Sequence, residues 1–251
     1  MNIVINVVVW IIIFIIIVRL LMLLLVGVYC RFQRYLEKKR NKKEVVEKNV
    51  NFNQPVVKNK KNKGVINHIY NIVNPYLYGL MRYMTILTGK IPSHRIRKII
   101  LKNIFCMKID RKAVIHGGFE IRSPWNIELG RCVIGVGALL DGRNGIIVED
   151  DVCFAQNVKI FTEQHDLNDE WFRCNNKGGK VVIKNRAWIS SGTTILPNVS
   201  VGEGAVLASG AIAAKDLESY GVYAGIPAHK ISERNRELKY SFGKGEYWHF
   251  Y

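Results

Sequence analysis

The chain has 251 residues, 49% of them hydrophobic, with 37 Lys/Arg against 20 Asp/Glu and a formal charge of +17. That excess is local: residues 1–108 carry 20 Lys/Arg and 3 Asp/Glu, whereas residues 109–251 carry 17 of each. The C-terminal part therefore lacks the broad basic footprint that nucleic acid requires, and nucleic acid is not expected as a partner. Five cysteines, odd in number and without a CxxC spacing, suit a reducing compartment in which Cys serves as a small apolar filler.

From Ile3 to Tyr29 the chain is apolar except for Asn6, Arg19 and Gly27. As a helix this stretch rises about 40 Å, more than the roughly 30 Å of a hydrocarbon core. No basic stretch precedes the run and no small-x-small site closes it, so residues 1–30 read as a transmembrane anchor and not as a cleaved leader. Residues 31–63 hold 12 Lys/Arg against 3 Asp/Glu, which keeps that flank in the cytoplasm and near anionic lipid. Residues 31–64 are taken as a basic linker. Residues 65–108 add 7 Lys/Arg and no acid, with Ile69, Ile72, Val73, Tyr76, Leu77, Leu80, Met81 and Met84 at helical spacing. The spacing predicts one or two basic amphipathic helices, on the membrane surface or packed on the first coil of the C-terminal part.

Beyond residue 109 the period changes to six. Ile183, Ile189, Ile195, Val201, Leu207 and Ala213 hold one register, and Val148, Phe154 and Ile160 show the same spacing upstream. Four positions after each aliphatic residue comes a small or β-branched one: Ala187, Thr193, Val199, Ala205 and Ala211. A period of six is neither helical nor that of a plain strand. It marks a parallel β-helix, in which each short face points one side chain inward and the chain turns a corner, and in which stacked coils share one core. Three such faces make a coil of about 18 residues and the region holds about five coils. Ile109, Ile115, Ile121, Ile127, Val133 and Leu139 are also six apart in another register, and the turn-forming Asp141-Gly142-Arg143-Asn144-Gly145 is expected to absorb the shift. No helix is expected within the stack. The β-helix is assigned to 109–231 and a C-terminal tail to 232–251.

The pattern stops at Phe161-Thr162-Glu163-Gln164-His165-Asp166 and resumes at Val181, so a loop over 166–180 leaves the stack. A loop leaving a rigid scaffold is a natural place for a site. His165 stands at the junction, and an imidazole, which changes charge near neutral pH, suits proton abstraction from a hydroxyl. A surface histidine ending a strand is the plain alternative.

Five strings carry a family resemblance: RSPWNIELG (122–130), LLDGRNG (139–145), QHDLND (164–169), AWISSGTTILPNVSVGEGAVLASGAI (187–212) and YAGIPAHKI (223–231). The segment from about Ile115 to Arg234 resembles the hexapeptide-repeat acyltransferases of the maltose and galactoside O-acetyltransferase type, nearest to colanic acid and capsule acetyltransferases. The resemblance implies a left-handed parallel β-helix that assembles as a homotrimer. It also implies transfer of an acetyl group from acetyl-CoA to a sugar hydroxyl, in sites between adjacent subunits and without a metal. His165 matches the general base, and a backbone amide close to Ser191 the oxyanion donor. Asp141 matches an acidic residue at the acceptor pocket, although an Asx turn before Gly142 explains it equally well. For the cofactor, Trp188 matches an aromatic residue beside the pantetheine and Ser209 with Gly210 a shelf of small residues. Lys215 matches a cation near the phosphates, Pro227 and Ala228 the adenine end, and Arg234 a further phosphate contact. Trp188 as an exterior packing residue and Lys215 as a solvated corner remain open. Ala214 and His229 depart from the pattern, which commonly has threonine and a basic residue there.

A zinc-dependent carbonic anhydrase on the same scaffold needs three histidines, and residues 109–214, where the repeat runs, have only His116 and His165. An N-acetyltransferase for an amino-sugar nucleotide and a catalytically inactive trimeric scaffold stay open as alternatives. The expectation is a single-pass protein of the inner membrane whose cytoplasmic β-helix acetylates a sugar or a lipid-linked glycan precursor.

Overall fold

The computed structural model describes residues 2–50, 64–174 and 178–243. It divides into two compact units, 1–84 and 85–251.

In the first unit, helix α1 (Asn2–Val50) runs without a break through the expected anchor and on into the expected linker. Residues 31–50 are therefore helical, which their Lys, Arg, Glu and Gln content favours; the rest of the expected linker, 51–63, lies outside the described residues. The stretch Val4–Lys42 is long and apolar enough to cross a membrane. Helix α2 (Val65–Gly89) begins in this unit and contains Pro75. It folds back on α1: Tyr29 Oη donates to Asn74 Oδ1 (2.9 Å), and Gln33 Nε2 donates to the same oxygen (2.8 Å) and to Tyr70 Oη (3.0 Å).

The second unit is a parallel β-helix. Its strands in chain order are β1 (Lys108–Ile109), β2 (Val114–Ile115), β3 (Glu120–Arg122), β4 (Ile127–Leu129), β5 (Val133–Ile134), β6 (Leu139–Asp141), β7 (Ile146–Val148), β8 (Cys153–Phe154) and β9 (Lys159–Ile160). After the excursion come β10 (Val181–Ile183), β11 (Trp188–Ile189), β12 (Thr194–Ile195), β13 (Ser200–Val201), β14 (Val206–Leu207), β15 (Ile212–Ala213), β16 (Gly221–Ala224) and β17 (His229–Glu233). Every third strand stacks. The first sheet is β1-β4-β7-β10-β13, the second β2-β5-β8-β11-β14-β16 with β17 added at its end, and the third β3-β6-β9-β12-β15. All these pairs are parallel except β16–β17.

The hexad residues are what the coil closes upon. Ile183, Ile189, Ile195, Val201, Leu207 and Ala213 are fully buried, and so are the corner residues Ala187, Thr193, Val199, Ala205 and Ala211. Upstream the register differs from expectation. Ile109, Ile115, Ile121 and Ile127 point inward, but Val133 and Leu139 are half-buried on the outside, and their neighbours Ile134 and Leu140 fill the core. The register slips before the Asp141–Gly145 turn and again through it, where the inward Val148 follows the inward Leu140 by eight residues. A short 3-10 turn at Pro124–Asn126, entered through Ser123 at φ 47°, inserts extra residues, and it is also a helical element within the stack. The strands that follow long turns then bury two residues each: Ile127 with Leu129, Ile146 with Val148, and Val181 with Ile183.

Both ends of the stack are covered, as open strand edges and apolar coil ends require. Helix α3 (His94–Asn103), capped by Ser93, packs on β1 and β2. From it the buried Arg97 donates through Nε and Nη2 to Ile115 O (3.3 and 3.0 Å) and through Nη1 to Ile91 O. At the other end β17 pairs antiparallel with β16, so the strand extends past the expected boundary at 231. Of the expected tail, residues 234–243 pack back on the stack and 244–251 lie outside the described residues.

Candidate active site

Three corners join the three sheets, and each has different occupants. Between the first and second sheets, Asp151, Arg186 and Gly204 stack, and the returning chain covers them. Arg234 Nη1 donates to Arg186 O (3.0 Å) and Gly204 O (3.2 Å), Tyr240 Oη to Arg186 O (2.7 Å), and Phe242 N to Asp151 Oδ1 (2.8 Å). The Asp151 carboxylate also accepts Arg131 Nε (2.9 Å) and Nη2 (2.7 Å), and this guanidinium holds it down at about 2. Arg234 Nη1 thus fastens the backbone of this corner.

Between the second and third sheets lie most of the expected cofactor residues. Gly192 N donates to Gln156 O and Gly210 N to Ser191 O, each at 2.9 Å, so Gln156, Ser191 and Ser209 form one exposed column, one residue per coil. Gly192 and Gly210 adopt φ of 69° and 72° with open space where a Cβ would stand. Glycine meets the turn's left-handed backbone without strain and leaves the edge flat. The column continues into the Gly225–Ala228 turn through Ile212 N to Gly225 O (3.1 Å) and Ala228 N to Ile212 O (2.8 Å). The Ile226–Pro227 bond there is cis. Ser190 N and Gly192 N are bonded, whereas the Ser191 N–H has no intrachain acceptor among the described residues. The same is true of Gln156 and Ser209, so each corner presents one outward amide. Trp188, 45% exposed, stands on the adjoining sheet between Cys153 and Val206.

Between the third and first sheets lie Asp141, His165 and Lys215. Asp141 is fully buried and serves the turn: its carboxylate accepts Arg143 N (3.3 Å) and the Arg143 guanidinium (2.6–3.1 Å). Thr162 stitches this turn to the excursion. Its hydroxyl donates to Asp141 O (2.6 Å) and accepts Asn144 N (2.9 Å), and its carbonyl accepts Asn144 Nδ2 (2.6 Å) and Gly179 N (2.8 Å). Both ends of the excursion therefore meet at one residue. Gly178 passes so close that a Cβ would come within 2.5 Å of Thr162 O.

Within the excursion, Asp169 accepts Trp171 N (2.8 Å) and the Arg173 guanidinium (2.8–3.1 Å), and Asp166 N donates to Arg173 O (2.9 Å). These bonds bring Phe172 over His165. The two rings stack at 4.1 Å and 5°, and His165 Nδ1 is 2.5 Å from Phe172 O. A carbonyl only accepts, so Nδ1 is the donor, and in the neutral ring the lone pair lies on Nε2, the tautomer a general base needs. The exposed Cys174 places Sγ 3.6 Å from the same Nδ1. The filler reading holds for the buried Cys30, Cys106 and Cys132, but not for Cys174.

Sequence reading missed Thr162, Phe172 and Arg143 as members of this arrangement. Only Thr162 left a signal, as the last residue before the pattern breaks. The expected residues also do not converge in one chain. Ser191 and Gly192 lead into β12, and Leu196 and Pro197 leave it, so the amide column and the His165 corner flank opposite ends of the third sheet. Lys215 belongs to the His165 corner and not to the Ser209 column.

No family model matches the chain. It is 28% identical over 142 residues to "Putative colanic acid biosynthesis acetyltransferase WcaF" of Escherichia coli K12, covering 56% of this chain and 76% of that protein. With galactoside O-acetyltransferase of the same organism it shares 32% over 104 residues, 39% of this chain and 49% of that enzyme. The chain spans about half the length, or less, of the first curated relatives it matches. In fold it is similar to a hexapeptide-repeat acetyltransferase of Vibrio cholerae O1 biovar eltor solved with acetyl coenzyme A. That match has a TM-score of 0.54 and 18% identity, over 68% of this chain and 91% of the other. The repeat domain resembles the hexapeptide-repeat acetyltransferases. The similarity to the solved structure is one of fold, and the excursion that breaks this chain's repeat carries its candidate base.

Proposed function

We propose that the chain is an acetyl-CoA-dependent O-acetyltransferase acting on a hydroxyl of a sugar or glycan precursor, with His165 as general base. The observation that carries this reading is the contact of His165 Nδ1 with Phe172 O, which leaves Nε2 as the basic nitrogen. Nε2 takes the acceptor's proton while its oxygen attacks the thioester carbonyl. The tetrahedral oxyanion accepts a hydrogen bond from an outward corner amide, Ser191 N–H in this reading. Collapse expels the CoA thiolate, which recovers the proton from the imidazolium, and no acyl-enzyme forms. The pantetheine lies along Ser209 and Gly210 beside Trp188, with Pro227 and Ala228 at the adenine end. Lys215 and Arg234 are the cations for the cofactor's phosphates, and Asp141 serves the acceptor side through the Arg143 it orients.

The base and the amide column flank opposite ends of one sheet, so we place the complete site between two copies of the chain in a homotrimer. The apolar α1 anchors the enzyme to the membrane, with the β-helix on the cytoplasmic side where lipid-linked glycan precursors are found. Tethering raises the local concentration of enzyme there.

The test is calorimetry with acetyl-CoA beside transfer of labelled acetyl to sugar acceptors, for wild type and His165→Ala. Turnover should fall by roughly 10²–10⁴-fold with acetyl-CoA binding retained. Parallel loss of binding would make His165 structural, and no binding by either protein would remove the acyl donor from the proposal. If a chain lacking residues 1–64 acetylates a membrane-bound acceptor as fast as the full chain, the tethering role fails.

A further inference from the structure

Helix α2 shows water a long apolar stripe. Its side towards α1 mixes buried Met81 and Met84 with polar groups: Asn74 Oδ1 accepts from both Tyr29 and Gln33, and Tyr70 accepts from Gln33. The opposite side, at spacings of three and four, carries Ile69, Ile72, Val73, Tyr76 and Tyr83, all exposed, with Tyr76 78% accessible. Arg82 is the one charged residue between 65 and 89. A soluble helical hairpin buries its apolar stripe and shows its polar one. Membrane helices invert this, using side-chain hydrogen bonds between helices and presenting apolar residues to lipid.

The register says where the stripe lies. Gln33 meets Tyr70 and Tyr29 meets Asn74, so α2 runs antiparallel to α1. Its residues after 74 return alongside the last turns of the Ile3–Tyr29 apolar run. The exposed polar residues Asn67, His68 and Asn71 cluster at its start, where α1 has already become basic. Tyrosines at the end of a span are characteristic of the membrane–water interface.

We infer that α2 is a second membrane-contacting element, running alongside α1 at the end of its apolar run with the stripe Ile69–Tyr83 against lipid. The inference rests on the reading of α1 as a membrane span. It makes the attachment a two-point one, in which α1 supplies depth and α2 resists rotation about the α1 axis.

The experiment uses the full chain in vesicles of phosphatidylethanolamine and phosphatidylglycerol, with benzoylphenylalanine placed singly at Phe14, Ile72, Tyr76 or Glu218. On irradiation, positions 72 and 76 should label lipid about tenfold above position 218, comparable with position 14. If position 14 labels lipid while 72 and 76 stay at background, or cross-link a second copy of the chain, the inference on α2 is overturned and the span survives. If position 14 also fails, the span itself is wrong and α2 falls with it.

Discussion

Two successive coils of the stack differ in one respect, the excursion that leaves one of them. From β10 to β12 the chain closes a coil in 18 residues (183 to 201), burying Ile183, Ile189 and Ile195 with Val181 beside the first. The preceding coil has the same ladders, yet between β9 and β10 it sends out residues 161–180 before the register resumes. On the proposed function, coils of one stack divide the work: the regular one supplies position and corner amides, and the interrupted one supplies His165. The interruption costs the scaffold little because Thr162 closes its base, holding the Asp141–Asn144 turn and Gly179 together.

If that division is real, damage to the scaffold and damage to the excursion should separate. Phe154→Ala removes a fully buried ring from the middle of the second sheet and should cost about 3–5 kcal/mol in chemical denaturation. The folded fraction should keep its turnover per molecule. A loss of turnover at unchanged stability would mean that core and site are not separable.

Thr162→Val sharpens the comparison from the other side. It leaves shape almost unchanged but strands Asn144 N and Asp141 O, two backbone groups bonded to its hydroxyl. A loss of about 1–3 kcal/mol is expected, together with a fall in turnover greater than the lost folded fraction explains. Hydrogen exchange should rise in 163–174 and not in β11 or β14. Uniform exchange across the stack would show that Thr162 is ordinary core.

How much of this the sequence discloses depends on what is repeated. Ile183 to Ala213 announce themselves because each face asks for the same side chain, and the break at Phe161 is visible for the same reason. Val133 and Leu139 mislead because the outer face of these coils also carries aliphatic residues, so six-residue spacing alone does not distinguish inside from outside. The first slip is made by Pro124–Asn126, whose conformation periodicity does not encode. The break in the repeat pointed to His165 and the family resemblance to Ser191, but neither to their separation across the third sheet, which depends on which corner each turn occupies. The partner of His165 is a backbone carbonyl, and no residue type marks it in advance. Nor did the basic residues after 30 disclose that α1 continues, because charge composition marks a membrane boundary and not a helix end.

The corner far from the site gives the smallest effect and the sharpest control. Arg131 and Phe242 N hold the Asp151 carboxyl at about 2, below the ordinary value of about 3.9. Because the folded state prefers the ionised form, this contribution to stability is complete above the ordinary value. It is lost as pH falls from about 4 to about 2. Melting temperature followed over that range should drop, less steeply in Asp151→Asn, which lacks the titrating group and starts from a lower stability at neutral pH. Residues 234–243 should become protease-sensitive in that variant, because Phe242 and Arg131 lose a charged acceptor. Turnover at neutral pH should stay within about twofold of wild type per folded molecule, since this corner is remote from both the His165 corner and the amide column. A large loss would tie the covered corner to the chemistry and end the assignment of one task to each corner.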